Sequence, residues 1–204
     1  MKDFWNDRYG KSEWAYGEAP NEYFKHQLVN FKPGKILLPA EGEGRNAVYA
    51  AKMGWEVSAF DMSRSGKAKA EQLARKNGVQ IDYQVGGLNE VSYPAAFFDC
   101  IGLIYAHFPA AVKSNYHKAL NEYVRIGGVI IFEAFSKSHL KFSAINPKAG
   151  GPKDEDMLFS VDEIKKDFSN YDIVELVERE VTLNEGLYHI GMSSVVRFVG
   201  IKNG

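Results

Sequence analysis

Residues 36–63 read ILLPAEGEGRNAVYAAKMGWEVSAFDMS, and this stretch decides the fold. A short apolar run, Ile36-Leu37-Leu38, leads into a tight segment with glycines at 42 and 44, and a helix follows from about Asn46 to Met53. Gly54 stands where a helix C-terminal cap is expected, and Val57, Ala59 and Phe60 then form a second apolar strand that stops at Asp61. Gly42-x-Gly44-x-x-Ala47 between strand and helix, with an acid about twenty residues on, marks a pocket for a nucleotide-like ligand. Glycine there lets backbone come close to the ligand, and Asp61, at a strand tip, can accept hydrogen bonds from a ribose diol.

Working outward, strands and helices continue to alternate. Ser63 or Ser65 can cap a helix to Lys76, ended by Asn77-Gly78. Ile81 to Val85 is a third strand, followed by a Gly86-Gly87-Leu88 loop. The nearly continuous apolar run from Asp99 to Tyr105 suits a strand buried on both faces, and it releases Tyr105, Ala106, His107, Phe108 and Pro109 at its carboxyl end. A helix with Val112, Tyr116, Ala119, Leu120 and Tyr123 inward precedes Gly127-Gly128 and a strand Val129 to Phe132, ending at Glu133. This spacing implies βαβ units, a parallel sheet and right-handed crossovers, with ligands at the carboxyl ends of the strands. Asp61, Gly87, Tyr105, His107 and Glu133 are therefore expected on one rim.

The flanks differ in kind. Residues 1–31 are crowded with aromatics, among them Trp5, Tyr9 and Tyr16, and read as an N-terminal cap on a core of residues 32–204, either packed cover or lid. Ser136 to Pro152 reads as a long polar loop with a flexible Gly150-Gly151-Pro152 corner. Ser160 and Glu163 form a capping box for a helix to about Phe168. Ile173 to Thr182 and Ser193 to Ile201 read as antiparallel strands joined through Asn184-Glu185-Gly186, with His189 in the connection.

Composition narrows the partners. A chain of 204 residues with 45% apolar content supports one substantial core, and residues 1–204 read as a single domain. With 25 basic and 26 acidic residues there is no field of one sign to favour nucleic acid or an anionic membrane. Arg64, Lys67, Lys69, Arg75 and Lys76 alternate with apolar residues and read as the solvated face of a helix. Cys100, the only cysteine, lies in an apolar run and reads as a small core residue. No apolar run approaches the roughly 20 residues that cross a bilayer, so a soluble, cytoplasmic protein is expected, as a monomer or homodimer.

The glycine loop also carries Glu41 and Glu43. A pyrophosphate beside two carboxylates would be opposed by roughly 1 kcal/mol or more from each, even at an effective dielectric near 20. Arg45 offsets part of that, but the arrangement better suits a cationic, phosphate-free nucleoside such as S-adenosyl-L-methionine (SAM). In FWNDRY with YGEAPNEYF, EGEGRNAVYAAKMGWEVSAFD, YAHFP, GGPKDEDMLFS, NEGLYHIG and VVRFVG, the chain resembles class I SAM-dependent methyltransferases. More narrowly, it resembles their tellurite-resistance and thiopurine-methyltransferase-like branch.

That resemblance implies an α/β, doubly wound (Rossmann-like) seven-stranded sheet, mostly parallel, with an antiparallel C-terminal hairpin. It implies SAM across Gly42 and Gly44, ribose on Asp61, adenine near Met62, Gly87 and Leu88, and S-adenosyl-L-homocysteine as product. Tyr16, Glu41, Arg45 and Tyr105 complete the expected cofactor site. The methyl acceptor is expected to be a small molecule, a thiol, a thiopurine-like heterocycle or a chalcogen oxyanion. His189 is the candidate acid/base, Arg197 the candidate anchor for an anionic acceptor, and His107 and Tyr105 further catalytic candidates; no metal site is expected. Two departures stand out: Leu38-Pro39 and Gly86-Gly87 occupy positions where such enzymes usually carry acids, and Glu41 is the candidate substitute for the first. A nicotinamide-dependent oxidoreductase and a non-catalytic SAM-binding relative are the competing readings.

Overall fold

Ile36, Leu37 and Leu38 are all fully buried because their strand, β1 (Lys35–Pro39), lies in the interior of the sheet with helices on both faces. The computed structural model describes residues 2–204. From β1 the chain runs through α3 (Arg45–Lys52), β2 (Glu56–Asp61), α4 (Arg64–Lys76), β3 (Asp82–Val85), β4 (Phe98–Ile104), α5 (Lys113–Tyr123) and β5 (Val124–Phe135). Two helices, α1 (Lys2–Tyr9) and α2 (Glu22–Leu28), precede β1. After β5 come α6 (Leu140–Ile145), α7 (Val161–Asp167) and the long strands β6 (Tyr171–Glu185) and β7 (His189–Lys202).

The seven strands form one sheet in the order β3-β2-β1-β4-β5-β7-β6. The first five are parallel, and β7 runs antiparallel to both β5 and β6. This is the expected doubly wound, Rossmann-like sheet with an antiparallel C-terminal pair. Alternation along β1 distributes its side chains to two cores: Leu37 packs with Leu120 of α5 and Ile164 of α7, while Ile36 and Leu38 pack with Phe24 of α2, Ala47 of α3 and Ala70 of α4. Each such aliphatic side chain contributes about 1.5–3 kcal/mol on burial. Cys100 is a fully buried member of the second core, as expected. No helix is long and apolar enough to cross a membrane among the described residues.

Four local expectations need correction. The stretch 136–152 is mostly helical: a 3₁₀ turn at Lys137–His139, α6, and a second turn at Pro147–Ala149 opened by the Asn146 side chain, which accepts from the Lys148 amide. Strand β5 begins at Val124 because Gly127, at φ +73°, is absorbed in an irregularity between the pairs Phe98–Val124 and Cys100–Val129. On α5, Ala119 is exposed and the buried positions are His117 and Leu120. On α4, Lys67 donates to the Tyr83 carbonyl and Lys69 pairs with buried Glu43 at 2.8 Å, so the basic run is only partly solvated.

Candidate active site

The glycine loop is built by its two glutamates. Gly44 takes a left-handed φ of +85° at the N-terminus of α3, a position with no capping side chain of its own, and Glu41 supplies the cap by accepting from the Ala47 amide at 2.7 Å. Burial pushes the Glu41 carboxyl up to about 7, although the bonds from Ala47 and Asn46 and the charge of Arg45 oppose that rise. Glu43 instead faces the N-terminal segment, accepting from the Ala15 amide at 2.8 Å. The glycines themselves do not line the cavity. A Cβ at Gly44 would lie 2.4 Å from that of Ala70, and one at Gly42 2.7 Å from the Tyr9 hydroxyl. Gly42 and Gly44 therefore admit α4 and Tyr9 against the loop, where direct contact with a ligand was expected.

Asp61 ends β2 with both oxygens engaged, accepting from the Ser63 amide at 2.8 Å and the Gly42 amide at 3.1 Å. Burial raises its carboxyl to about 6. It borders a cavity of about 470 Å³, alongside Met62, Gly87 and Leu88, with Glu41, Arg45, Tyr16, Tyr105, His107 and His189 on other walls. Trp5, Arg8 and Tyr9 of α1 also face it.

The roof is a clasp between the N-terminal segment and the β6–β7 tip: the Leu187 amide donates to the Ala15 carbonyl at 2.8 Å, and Gly186 packs against the backbone of Ala15–Gly17. His189 belongs to this clasp. It is the first residue of β7, paired with Glu185 and only 5% exposed, whereas the sequence suggested the hairpin connection. Its Nδ1 lies 3.0 Å from Glu185 Oε2, and its ring centroid lies 4.4 Å from those of both Tyr16 and Tyr105. Arg45 donates to the same Glu185 oxygen at 2.9 Å. Burial alone would raise the Glu185 carboxyl, but the bonds from His189 and Arg45 outweigh it and bring it down to about 2. An ionised Glu185 fixes the His189 proton on Nδ1, so Nε2 carries the lone pair. Burial holds the imidazole below its ordinary pKa, against the pull of Glu185.

Tyr105 sits at the end of β4 with a left-handed φ of +52°, a strained backbone for a tyrosine. Its buried hydroxyl has no hydrogen-bond partner among the described residues, and burial with the nearby Glu133 and Glu185 charges pushes the phenol well up. His107 lines the cavity but has both nitrogens committed: Nε2 accepts from the Phe135 amide at 3.3 Å, and Nδ1 donates to the Met157 carbonyl at 3.0 Å. Burial lowers it to about 4, and it stands as a neutral structural link.

Glu133 and Arg197 are not on the rim. Arg197 Nε donates to Glu133 Oε2 at 2.6 Å, the guanidinium lies 4.5 Å from the centre of the Tyr23 ring, and neither residue lines the cavity. Pairing across β5 and β7 brings the two together, so Arg197 is not free to hold an acceptor. Asn21, which the sequence did not single out, bridges the two carboxylates, donating to Glu133 at 2.7 Å and Glu185 at 3.1 Å. The only sequence signal at Asn21 is its place as a helix cap after Pro20.

Comparison with known proteins bears on the readings of this cavity. Residues 36–128, from β1 into β5, match the family profile described as a methyltransferase domain. The chain carries a methyltransferase domain over residues 36–128. The methyltransferase fold extends over the whole chain. A structure solved in work on the conversion of a disulfide bond into a thioacetal group during echinomycin biosynthesis matches with a TM-score of 0.78 at 16% identity, covering 100% of this chain and 92% of that one. TehB from Haemophilus influenzae matches with a TM-score of 0.72 at 16% identity, over 99% of this chain and 67% of its own. A SAM-dependent methyltransferase from Anabaena variabilis matches at 0.70 and 14%, over 99% and 93%. No curated protein matches the sequence significantly. The residues present fit SAM: acidic groups for its cationic end, an acid at the β2 tip for the ribose, and apolar Met62 and Leu88 beside it. After β3, Gly86 and Gly87 border the cavity, and the Gly87 amide donates to the Glu90 carboxylate at 2.7 Å.

Proposed function

We propose that this methyltransferase acts on a small soluble acceptor, in the manner of the tellurite-resistance and thiopurine-methyltransferase-like enzymes, and that residues 1–204 work as one domain. The observation that carries this reading is the Arg45–Glu185–His189 series: a buried ion pair orients an imidazole that lines the same cavity as Asp61 and Glu41. A cavity of about 470 Å³ falls within the roughly 300–1,000 Å³ of small-molecule sites.

SAM, when bound, supplies a methyl group already activated by its sulfonium. The chain's own residues then have three tasks. Asp61 accepts from the ribose hydroxyls and Glu41 faces the ammonium. The aromatic roof of Trp5, Tyr9 and Tyr16 excludes water and favours a cation beneath it. His189 Nε2 takes the proton from an acceptor hydroxyl, amine or thiol, and the resulting imidazolium is stabilised by Glu185. A chalcogen oxyanion, already ionised at neutral pH, needs this base least, and a thiol, with a pKa of about 8.5, needs it less than a hydroxyl.

Isothermal titration with S-adenosylhomocysteine, NADH and NADPH tests the cofactor, and product formation on a panel of thiols, amines and oxyanions tests the acceptor. Binding without turnover on any of them would reassign the protein as a SAM sensor.

A further inference from the structure

Carboxylates neutralise the buried and half-buried cations in and near this cavity: Arg45 by Glu185, Lys69 by Glu43, and Arg197 by Glu133. Arg8 is the exception. Among the described residues no carboxylate lies within salt-bridge distance of its guanidinium, yet the group is held firmly. It lies 4.5 Å from the Phe4 ring centre and 4.2 Å from that of Tyr188, and Nη1 donates to the Tyr16 hydroxyl at 2.9 Å. A permanently charged fork clamped between two rings has little entropy left to lose on binding a planar anion, and its remaining donors are already oriented.

The position of Arg8 identifies the end of the cavity it serves. Tyr188 immediately precedes His189, and the Tyr16 ring packs on the His189 ring. Lys153 borders the cavity in the segment that leaves Gly150, which itself packs on Tyr188 and His189; Nζ of Lys153 meets only the Ser143 carbonyl. The carboxylates without cationic partners, Glu41 and Asp61, belong instead to the cofactor end. The cations without a carboxylate partner, Arg8 and Lys153, thus lie toward the candidate base, and the carboxylates without a cationic partner lie beside the candidate cofactor groups.

We propose that the methyl acceptor is an organic anion whose carboxylate, or an equivalent oxyanion group remote from the methylated atom, is held by Arg8 at the His189 end of the cavity. This rests on the reading above, in which His189 marks the acceptor side. Arg8 thereby takes the role that the sequence suggested for Arg197.

The test is isothermal titration of benzoate and of benzyl alcohol into protein saturated with S-adenosylhomocysteine, using wild type, Arg8→Met and Arg8→Lys. Benzoate should bind the wild type about tenfold or more tighter than benzyl alcohol, as expected for charged hydrogen bonds. Arg8→Met should bring the two ligands within about twofold of each other, and Arg8→Lys should fall between. S-adenosylhomocysteine affinity should stay within about threefold across all three proteins, which also verifies that the variants are folded. Equal affinity for the two probes, or no benzoate binding, would overturn the anion site alone. A loss of S-adenosylhomocysteine affinity in Arg8→Met that matches the loss for benzoate would assign Arg8 to the cofactor's own carboxylate. Absence of S-adenosylhomocysteine binding in the wild type would overturn the cofactor reading together with this one.

Discussion

His189 and Asp61 owe their chemistry to opposite kinds of partner. The imidazole is directed by one ionised carboxylate, whereas Asp61 is buried among backbone amides with no cation beside it. Replacing His189 with Ala should lower kcat by about 10²–10⁴ on an acceptor that must lose a proton, and much less on a thiolate. S-adenosylhomocysteine affinity should hardly change, and normal turnover on every acceptor would remove His189 from the chemistry. Replacing Asp61 with Ala should weaken that affinity by roughly 1.5–3 kcal/mol by titration calorimetry. The sequence offered no structural task for this acid, but the Gly42 and Ser63 amides bond to it, so the same variant should also unfold at lower denaturant. The pH dependence follows from burial. Glu41, raised to about 7, and Asp61, raised to about 6, hold protons that a cationic ligand displaces. The bound protein therefore carries fewer protons, and SAM affinity should fall as pH drops through about 7 and then about 6. The free protein responds in the opposite sense: a folded carboxylate raised above its unfolded value stabilises at low pH, and that stability is lost as pH rises through about 7. A SAM affinity independent of pH over this interval would separate both acids from the cofactor.

At the scale of elements, the parts legible in the sequence are those specified by neighbours in the chain. β1, α3 and β2 follow from apolar runs and a glycine with φ +89° at position 54, and the capping box of Ser160 and Glu163 is present as read. Contacts between elements far apart in sequence were not legible. Arg45 and Glu185 are 140 residues apart, and Asn21 and Glu185 164 apart, so no local pattern signals them. Arg197 was expected to anchor an acceptor for the same reason: the Glu133 carboxylate that engages it lies on β5, 64 residues away in the chain. His117 was hidden in the apolar face of α5. It is fully buried and stacked between Phe159 and Phe168, its Nδ1 lies 2.8 Å from Asp167 of α7, and its Nε2 has no partner. The pair pins α5 to α7 far along the chain. Asp167→Ala would leave both imidazole nitrogens buried and unbonded, at a cost of about 1–3 kcal/mol. Urea unfolding should show a lower midpoint at unchanged m-value; an unshifted midpoint would mean that the His117–Asp167 pair adds nothing to the hold on α7.

For the whole molecule, the cavity is closed by pieces from both ends of the chain: α1 and the segment after it meet the β6–β7 tip, and Glu43 and Glu185 tie them to the glycine loop and α3. A ligand beneath this roof contacts the first and last elements of the fold at once, so its binding energy adds to the stability of the assembled state. At a concentration about one hundred times its dissociation constant, a ligand selective for the folded protein stabilises by about 2.7 kcal/mol. For a chain of this size that corresponds to a rise of roughly 5–11 °C in Tm. S-adenosylhomocysteine should produce that shift and NADH should not. Hydrogen exchange should localise part of it: the Leu187 amide, which bonds across the clasp, and the Ala15 and Tyr16 amides, which bond to Glu43 of the glycine loop, should gain protection on binding. Protection confined to the sheet, with the clasp exchanging at the same rate with and without ligand, would mean that the N-terminal segment covers the core without closing over the cofactor.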